Sequence, residues 1–250
     1  MRKDNNLYGY GFTLAEILIT LVIIGVVSVL TIPVLLANMT GARYRSQFKK
    51  AVSTLSQAVR MNKANYGWDF ADVNIGCGSK TGIQTHNAES DMSVCAIMNS
   101  NLSAKQGFYR ESTLGSLVDY EFNGTTVGVS NQQYTVYSLA DGTLVGFRSI
   151  SFSRGCSLKT GENLSKLLQY GSTHRSDSSS FHKCTGFIDV NGFSLPNEET
   201  LCSIGTTSFD FEEDCTVKNK DIKDIFPIVF HDSIVEGATN AARYVLQTAK

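Results

Sequence analysis

A long apolar stretch dominates the N-terminal part of the chain. Residues 17–42 carry no charged side chain over 26 consecutive positions, and as one helix they would extend about 39 Å. That length exceeds the roughly 30 Å hydrocarbon core of a bilayer. An ordinary secretory signal has a shorter apolar core that is followed by a small-residue cleavage site. The pattern therefore predicts a membrane-spanning helix.

Beyond the span, apolar residues recur every three or four positions, which is typical of one helix face. No Gly or Pro lies between Ala42 and Tyr66, so the helix is predicted to continue to about Asn62. The apolar stripe is expected to pack on the folded body, and its members are Tyr44, Phe48, Ala51, Val52, Leu55, Ala58 and Val59. The basic residues between them are expected to form a solvated face, with lipid headgroups or acidic neighbouring subunits as alternative partners. They are Arg43, Arg45, Lys49 and Lys50.

After Gly67 the chain consists of short β-like runs that are separated by Gly, Asn, Asp and Ser. Residues 134–139 and 143–150 flank the pair Asp141-Gly142, which is a strong hairpin signal. Further strands are predicted at 186–190 and 225–230, and short helices at 93–101 and 163–169. The body is therefore predicted to be α+β, with an antiparallel sheet of four or more strands.

Two residues interrupt the apolar pattern, Glu16 and Pro33. An unpaired carboxylate near a bilayer centre costs at least about 2.5 kcal/mol. Glu16 is therefore expected either to lie at the headgroup level or to pair with a cation from another copy of the chain. A free α-amino group on Phe12, created by cleavage after Gly11, would be such a cation. Pro33 removes a backbone donor and is predicted to kink or locally melt the helix.

The charges are divided unevenly along the chain. The formal net charge is −1, which argues against a general nucleic-acid coat. Residues 12–66 hold six Lys or Arg against one Glu, whereas residues 67–250 hold 14 Lys or Arg against 21 Asp or Glu. The chain is therefore a basic stalk followed by an acidic body.

All six cysteines lie in the body, and an even number in a domain outside the membrane predicts disulfides. Pairing of the nearest cysteines gives Cys77–Cys95 and Cys202–Cys215, and this leaves Cys156–Cys184. A zinc site is disfavoured because no CxxC motif occurs.

Catalytic chemistry is not indicated by any motif. The sequence contains no HExxH, no GxSxG, no P-loop and no GxGxxG, so we expect no enzyme. The four histidines are expected at the surface. Two acidic segments could supply oxygen ligands for calcium, but solvated turns are the preferred interpretation and no cofactor is expected. The first segment comprises Asp189, Asn191 and Gly192 with Glu198 and Glu199, and the second comprises Asp210, Glu212, Glu213 and Asp214.

The segment GFTLAE at residues 11–16, followed by about twenty apolar residues, resembles the N-terminus of type IV pilins and type II secretion pseudopilins. The resemblance implies that a membrane peptidase cuts after Gly11 and N-methylates Phe12. Glu16 matches the family glutamate that neutralises a neighbour's N-terminus during assembly, and Pro33 matches the family's helix-breaking proline. Residues 1–11 would then be the leader, residues 12–66 the transmembrane and stalk helix, and residues 67–250 a periplasmic or extracellular head with a pilin-like fold.

The resemblance implies a structural subunit of a type IV pilus or a type II secretion pseudopilus. Its partners would be copies of itself or related pilins, the prepilin peptidase, the assembly platform and the bilayer before assembly. It would be a single-pass inner-membrane protein before assembly and part of a periplasmic or cell-surface filament afterwards. The basic residues after the span outnumber Arg2 and Lys3, which by the positive-inside rule favours the opposite orientation, but the cleavage motif outweighs that count.

Two alternatives keep the membrane anchor. In one, the chain is uncleaved and carries an extracytoplasmic ligand-binding or enzymatic domain. In the other, it is a minor pilin for DNA uptake, which the acidic body disfavours because phosphate binding requires basic side chains.

Overall fold

The computed structural model describes residues 12–77, 85–102, 105–110, 119–122, 125–128, 134–148, 155–158, 184–207 and 213–248. It contains a long N-terminal helix, an antiparallel β-sheet and three disulfide bonds, which is an α+β architecture. The predicted leader at residues 1–11, the predicted helix at 163–169 and the residues His174, His182, Asp210 and Glu212 lie outside the described residues.

The first helix, α1, runs from Leu14 to Tyr66 over 53 residues, or about 80 Å. It extends past the predicted end at Asn62 because Gly67 supplies the left-handed conformation, with φ of 82°, that closes a helix C-terminus. The N–H of Gly67 donates to the carbonyl of Lys63 at 3.0 Å. The helix is continuous across Pro33, so this residue does not locally melt it.

Two shorter helices follow in the body. Helix α2 spans Val94–Asn101, and Ser93 caps its N-terminus by accepting from the N–H of Ala96. Helix α3 spans Asn240–Gln247, with Thr239 as its N-cap. The prediction of a helix at 93–101 is therefore confirmed, whereas the sequence pattern gave no prediction for α3.

The described strands are β1 Lys105–Arg110, β2 Asp119–Phe122, β3 Thr125–Gly128, β4 Tyr134–Leu139, β5 Leu144–Arg148, β6 Thr185–Asp189, β7 Ile204–Gly205, β8 Cys215–Thr216, β9 Ile225–His231 and β10 Ile234–Gly237. Six of them form one antiparallel sheet in the order β1-β4-β5-β6-β9-β10. The pairs β2-β3 and β7-β8 form two small sheets. The prediction of an antiparallel sheet with at least four strands is confirmed.

The C-terminal half of α1 packs against this sheet and belongs to the core of the head. The predicted apolar stripe is buried from Phe48 to Val59, while Tyr44 is half-buried. The ring of Phe48 stacks on the ring of Phe226 in β9, with centroids 4.1 Å apart and planes 11° apart. Phe230, four residues further along β9, contacts Phe70 and Phe147 at centroid distances of 5.0 and 5.5 Å.

Three disulfides close the irregular parts of the head. Their pairs are Cys77–Cys95, Cys156–Cys184 and Cys202–Cys215, with Cα atoms 5.5 to 5.7 Å apart, and they are the pairs that the spacing favours. Such bonds persist in oxidising compartments outside the cytoplasm. The three disulfides constrain the head covalently.

Candidate assembly helix and its junction with the head

The N-terminal half of α1 is an exposed apolar rod. Residues 12–40 are exposed apart from Ser28, which is half-buried, and the rod formed by residues 14–40 is about 40 Å long. Among the described residues, α1 is both long enough and apolar enough to cross a membrane. A helix that is apolar on all sides is stable only inside a bilayer or packed among other apolar surfaces.

The N-terminus of this rod is closed by a capping box between Thr13 and Glu16. The Thr13 hydroxyl accepts from the N–H of Glu16 at 3.2 Å, and the Thr13 N–H donates to Glu16 Oε2 at 2.8 Å. The Thr13 hydroxyl also donates to the same carboxylate oxygen at 2.9 Å. Glu16 therefore has a local role in the helix cap besides the one that its charge predicts, and T-x-x-E is the sequence signature of this cap.

Phe12, the predicted first residue after cleavage, is 84% exposed and directly precedes the capping box. In the described chain both polar contacts of the Glu16 carboxylate fall on Oε2. A carboxylate has lone pairs on both oxygens and can accept a further donor on Oε1. The arrangement can thus keep the helix cap and accept a cation from another chain at the same time.

The exposed rod meets the head at Gly41, the first buried residue of α1. A side-chain carbon at this position would lie 1.7 Å from the carbonyl oxygen of Asn219. Asn219 begins a 3-10 turn, Asn219–Asp221, that packs across the helix. Only glycine leaves room for this contact between the backbone of the turn and the helix.

One turn further on, Arg45 ties the helix to the C-terminal part of the chain. Its guanidinium donates to the backbone oxygen of Thr248 at 3.2 Å, to the Thr248 hydroxyl at 2.5 Å and to the side-chain oxygen of Asn219 at 3.1 Å. Arg45 is only 6% exposed. The prediction of a solvated basic face is therefore wrong for Arg45, because the end of α3 covers its side chain.

The neighbouring basic residues differ in their surroundings. Lys49 is half-buried and donates to the backbone oxygen of Thr248 at 2.6 Å. Lys50 stays exposed and forms an ion pair with Asp141 at 2.8 Å. Arg43 is exposed on the helix surface, as predicted. Three of the four cations after the span thus bond to the head.

A second polar cluster fixes the other end of α1. Lys63 forms an ion pair with Asp69 at 2.7 Å, and Ser233 in the turn between β9 and β10 donates to the same oxygen of Asp69 at 2.7 Å. Burial alone would raise the pKa of Asp69. Hydrogen bonds from Lys63, Ser233 and the N–H of Ala71 outweigh burial, so the pKa lies below its ordinary value.

Two of the histidines are buried, which corrects the expectation that all four lie at the surface. His86 is 1% exposed and contacts Asp91, Ser93 and the backbone oxygen of Cys77. Both Asp91 and Ser93 approach the same ring nitrogen, Nδ1, at 3.2 Å. His86 thus joins the Cys77–Cys95 disulfide loop to the start of α2.

The second buried histidine, His231, is 4% exposed and ends β9. Its ring lies 2.9 Å from an oxygen of Asp232 and 3.6 Å from an oxygen of Glu236. Burial lowers the pKa of His231, but the negative charge of Glu236 together with the hydrogen bond to Asp232 and its negative charge outweighs burial, so the pKa is raised. The polar contacts of both histidines lie within nine positions along the chain, and a polar sequence neighbourhood does not reveal that the two rings are buried.

The calcium candidates do not form a metal site in the described residues, where no group of three His, Cys, Asp or Glu side chains could hold an ion. Asp189 is fully buried rather than solvated, and its Oδ1 accepts from the N–H groups of Asn191 and Gly192. Glu198 instead forms an ion pair with Lys223. The interpretation as a solvated acidic turn is therefore wrong at Asp189, which holds the turn after β6.

No protein-family model matches the chain, and neither the curated proteins nor the solved structures give a significant match.

Proposed function

We propose that this chain is a structural subunit of a filament of the type IV pilus or type II secretion pseudopilus class. In this proposal it is cut at Gly11, is held in the inner membrane by α1 and then polymerises through the exposed half of that helix. The observation that carries the proposal is a 27-residue apolar rod, residues 14–40, that continues as one helix into the core of a disulfide-bonded head. On assembly, the rods of different subunits can pack together and so replace their contacts with lipid, while the head keeps its structure.

Rigid attachment of the rod supports this role, because a filament subunit must transmit the position of its helix to its head. Gly41 and Arg45 hold the entry of α1 into the head, and Lys63 and Asp69 hold its end. Phe48 and its neighbours pack between these two points. Helix and head therefore form one body, in which a shift of the helix moves the whole subunit.

Glu16 sets the register in the proposed filament. In a low-dielectric helix bundle its charge is costly unless a cation meets it. The α-amino group of Phe12 on a neighbouring subunit supplies this positive charge, and cleavage after Gly11 creates it. Any other axial offset between neighbouring subunits would leave the Glu16 carboxylate without a cation.

A pair of variants separates the charge of Glu16 from its part in the helix cap. Glu16→Gln removes the charge but retains an oxygen that accepts from Thr13, since Gln also serves in a capping box. Thr13→Ala removes the cap hydroxyl and keeps the charge. Glu16→Gln is expected to be cleaved normally and to enter filaments poorly, whereas Thr13→Ala is expected to enter them almost as the parent chain does.

The measurement is the ratio of filament-associated to membrane-associated chain, together with the N-terminal mass of each variant. Normal incorporation of Glu16→Gln would contradict the role given to its charge. Equal losses in both variants would assign the effect to the helix cap instead.

A further inference from the structure

The turn that follows β6 carries an exposed apolar tip. Phe193 is 47% exposed and Leu195 is 82% exposed. Exposed large apolar side chains are common singly, but two at the tip of one loop are a candidate contact surface.

Both ends of this loop are fixed by buried carboxylates. At its start, Asp189 accepts from the N–H groups of Asn191 and Gly192 at 3.2 and 3.1 Å. At its end, Asp224 accepts from the N–H of Asn197 at 2.7 Å. Asp189 and Asp224 are both 0% exposed. The hydrogen bonds to Asp189 and Asp224 therefore fix both ends of the loop, and the apolar tip lies exposed between them.

The loop lies where α1 leaves the head. Asn191 donates to the hydroxyl of Tyr44 at 3.3 Å and to the backbone oxygen of Leu195 at 3.2 Å. Tyr44 follows Gly41, the first buried residue of the helix, by less than one turn. Helical side chains lean towards the N-terminus, so the Tyr44 hydroxyl lies on the side of the exposed rod.

Exposed cations surround the same exit point. Lys218 and Lys220 flank Asn219, whose carbonyl oxygen packs against Gly41, and both lysines are exposed. Arg43 is exposed on the helix beside them. Basic residues next to a membrane span are attracted to anionic phospholipid headgroups.

We propose that the Phe193–Leu195 tip is a second membrane contact, which enters the boundary between headgroups and acyl chains in the leaflet from which α1 emerges. Arg43, Lys218 and Lys220 then face the lipid phosphates around it. The contact orients the head on the bilayer surface before assembly, because one helix alone leaves rotation about its own axis free. This inference rests on the membrane-inserted stage of the proposed function.

Tryptophan depth measurements on the full chain test the inference. The chain is reconstituted in vesicles of neutral and anionic phospholipids whose acyl chains are brominated, since bromine quenches tryptophan only on contact. Leu195→Trp reports on the tip, and Phe193→Trp is a second variant in case the first folds poorly. The native Trp68 is 4% exposed in the head, and its emission in the parent chain is subtracted.

Two further variants serve as references. Val22→Trp lies in the apolar rod and reports whether α1 is inserted. Ile234→Trp is a matched surface control, because Ile234 is 39% exposed and follows the turn that contacts the C-terminal end of α1. Lys63 at that end lies 22 helical residues, or about 33 Å, beyond Gly41.

Brominated lipid is expected to quench the added tryptophan in Val22→Trp and Leu195→Trp and to leave the added tryptophan in Ile234→Trp unquenched. Quenching at Val22→Trp without quenching at Leu195→Trp would overturn this inference and leave the proposed function intact. An emission change at Leu195→Trp that follows the protein-to-lipid ratio would also overturn it, because a second copy would then cover the tip. An unquenched Val22→Trp would overturn the inserted stage and, with it, this inference.

Discussion

The junction at Gly41 gives the sharpest test of how the helix joins the head, through the variant Gly41→Ala. The added methyl group would lie 1.7 Å from the carbonyl oxygen and 2.7 Å from the carbonyl carbon of Asn219. Ordinary van der Waals contact begins at 3.4 Å, so the turn at Asn219–Asp221 must move away from the helix. Because both groups belong to backbones, no side-chain rotation relieves the overlap.

Two opposing effects set the size of the loss. Overpacking of this kind costs up to about 3 kcal/mol. Replacement of Gly by Ala inside a helix returns about 1 kcal/mol through helix propensity. The free energy of unfolding should therefore fall by about 2 kcal/mol. The hydrogen bond from Arg45 to Asn219, one turn away, is expected to weaken with it.

The matched control is Gly25→Ala in the same helix, since a side-chain carbon at Gly25 would meet nothing within 4 Å. Guanidinium unfolding of the detergent-solubilised chain, followed by the fluorescence of its single tryptophan, Trp68, measures the stability of the head. Gly25→Ala should not lower the midpoint, because it gains the same helix propensity without an overlap. Equal midpoints for the two variants would refute the close packing of the turn on the helix.

Two further predictions concern the head. Phe48→Ala removes a fully buried ring that stacks on Phe226, so it should lower the free energy of unfolding by about 3 to 5 kcal/mol in the same assay. A loss below about 1 kcal/mol would contradict the packing of the helix on the sheet. Because the folded-state pKa of His231 is raised above 6.5, the stability it contributes is complete below that pH and is lost as the pH rises through the raised value. The free energy of unfolding, measured across this pH interval, should fall in the parent chain and not in His231→Asn. If the variant shows the same fall with pH as the parent chain, His231 is not the source of the pH dependence.

Local signals account for the elements that the sequence predicted well. The Asp141-Gly142 pair predicts the turn between β4 and β5, and Gly142 adopts the positive φ of 85° that such a turn requires. The buried face of α1 follows from its spacing of three and four residues. The helix ends four residues beyond the predicted end at about Asn62, because Gly67 and not a change in the apolar pattern closes it.

Contacts between distant residues account for what the sequence did not predict. Arg45 is buried by Thr248, which lies 203 positions away in the chain. The exposed tip at Leu195 depends on anchors in β6 and before β9 that become neighbours only when those strands pair. Residue types and periodicity describe one element at a time, so burial that requires two elements escapes them.

The central claim is that the chain is processed and assembled as a filament subunit, and the N-terminal mass of the protein from its native membrane fraction tests it most directly. We expect a chain that begins at N-methylated Phe12. A chain that begins at Met1, from cells with an active prepilin peptidase, would contradict it and make α1 a plain membrane anchor.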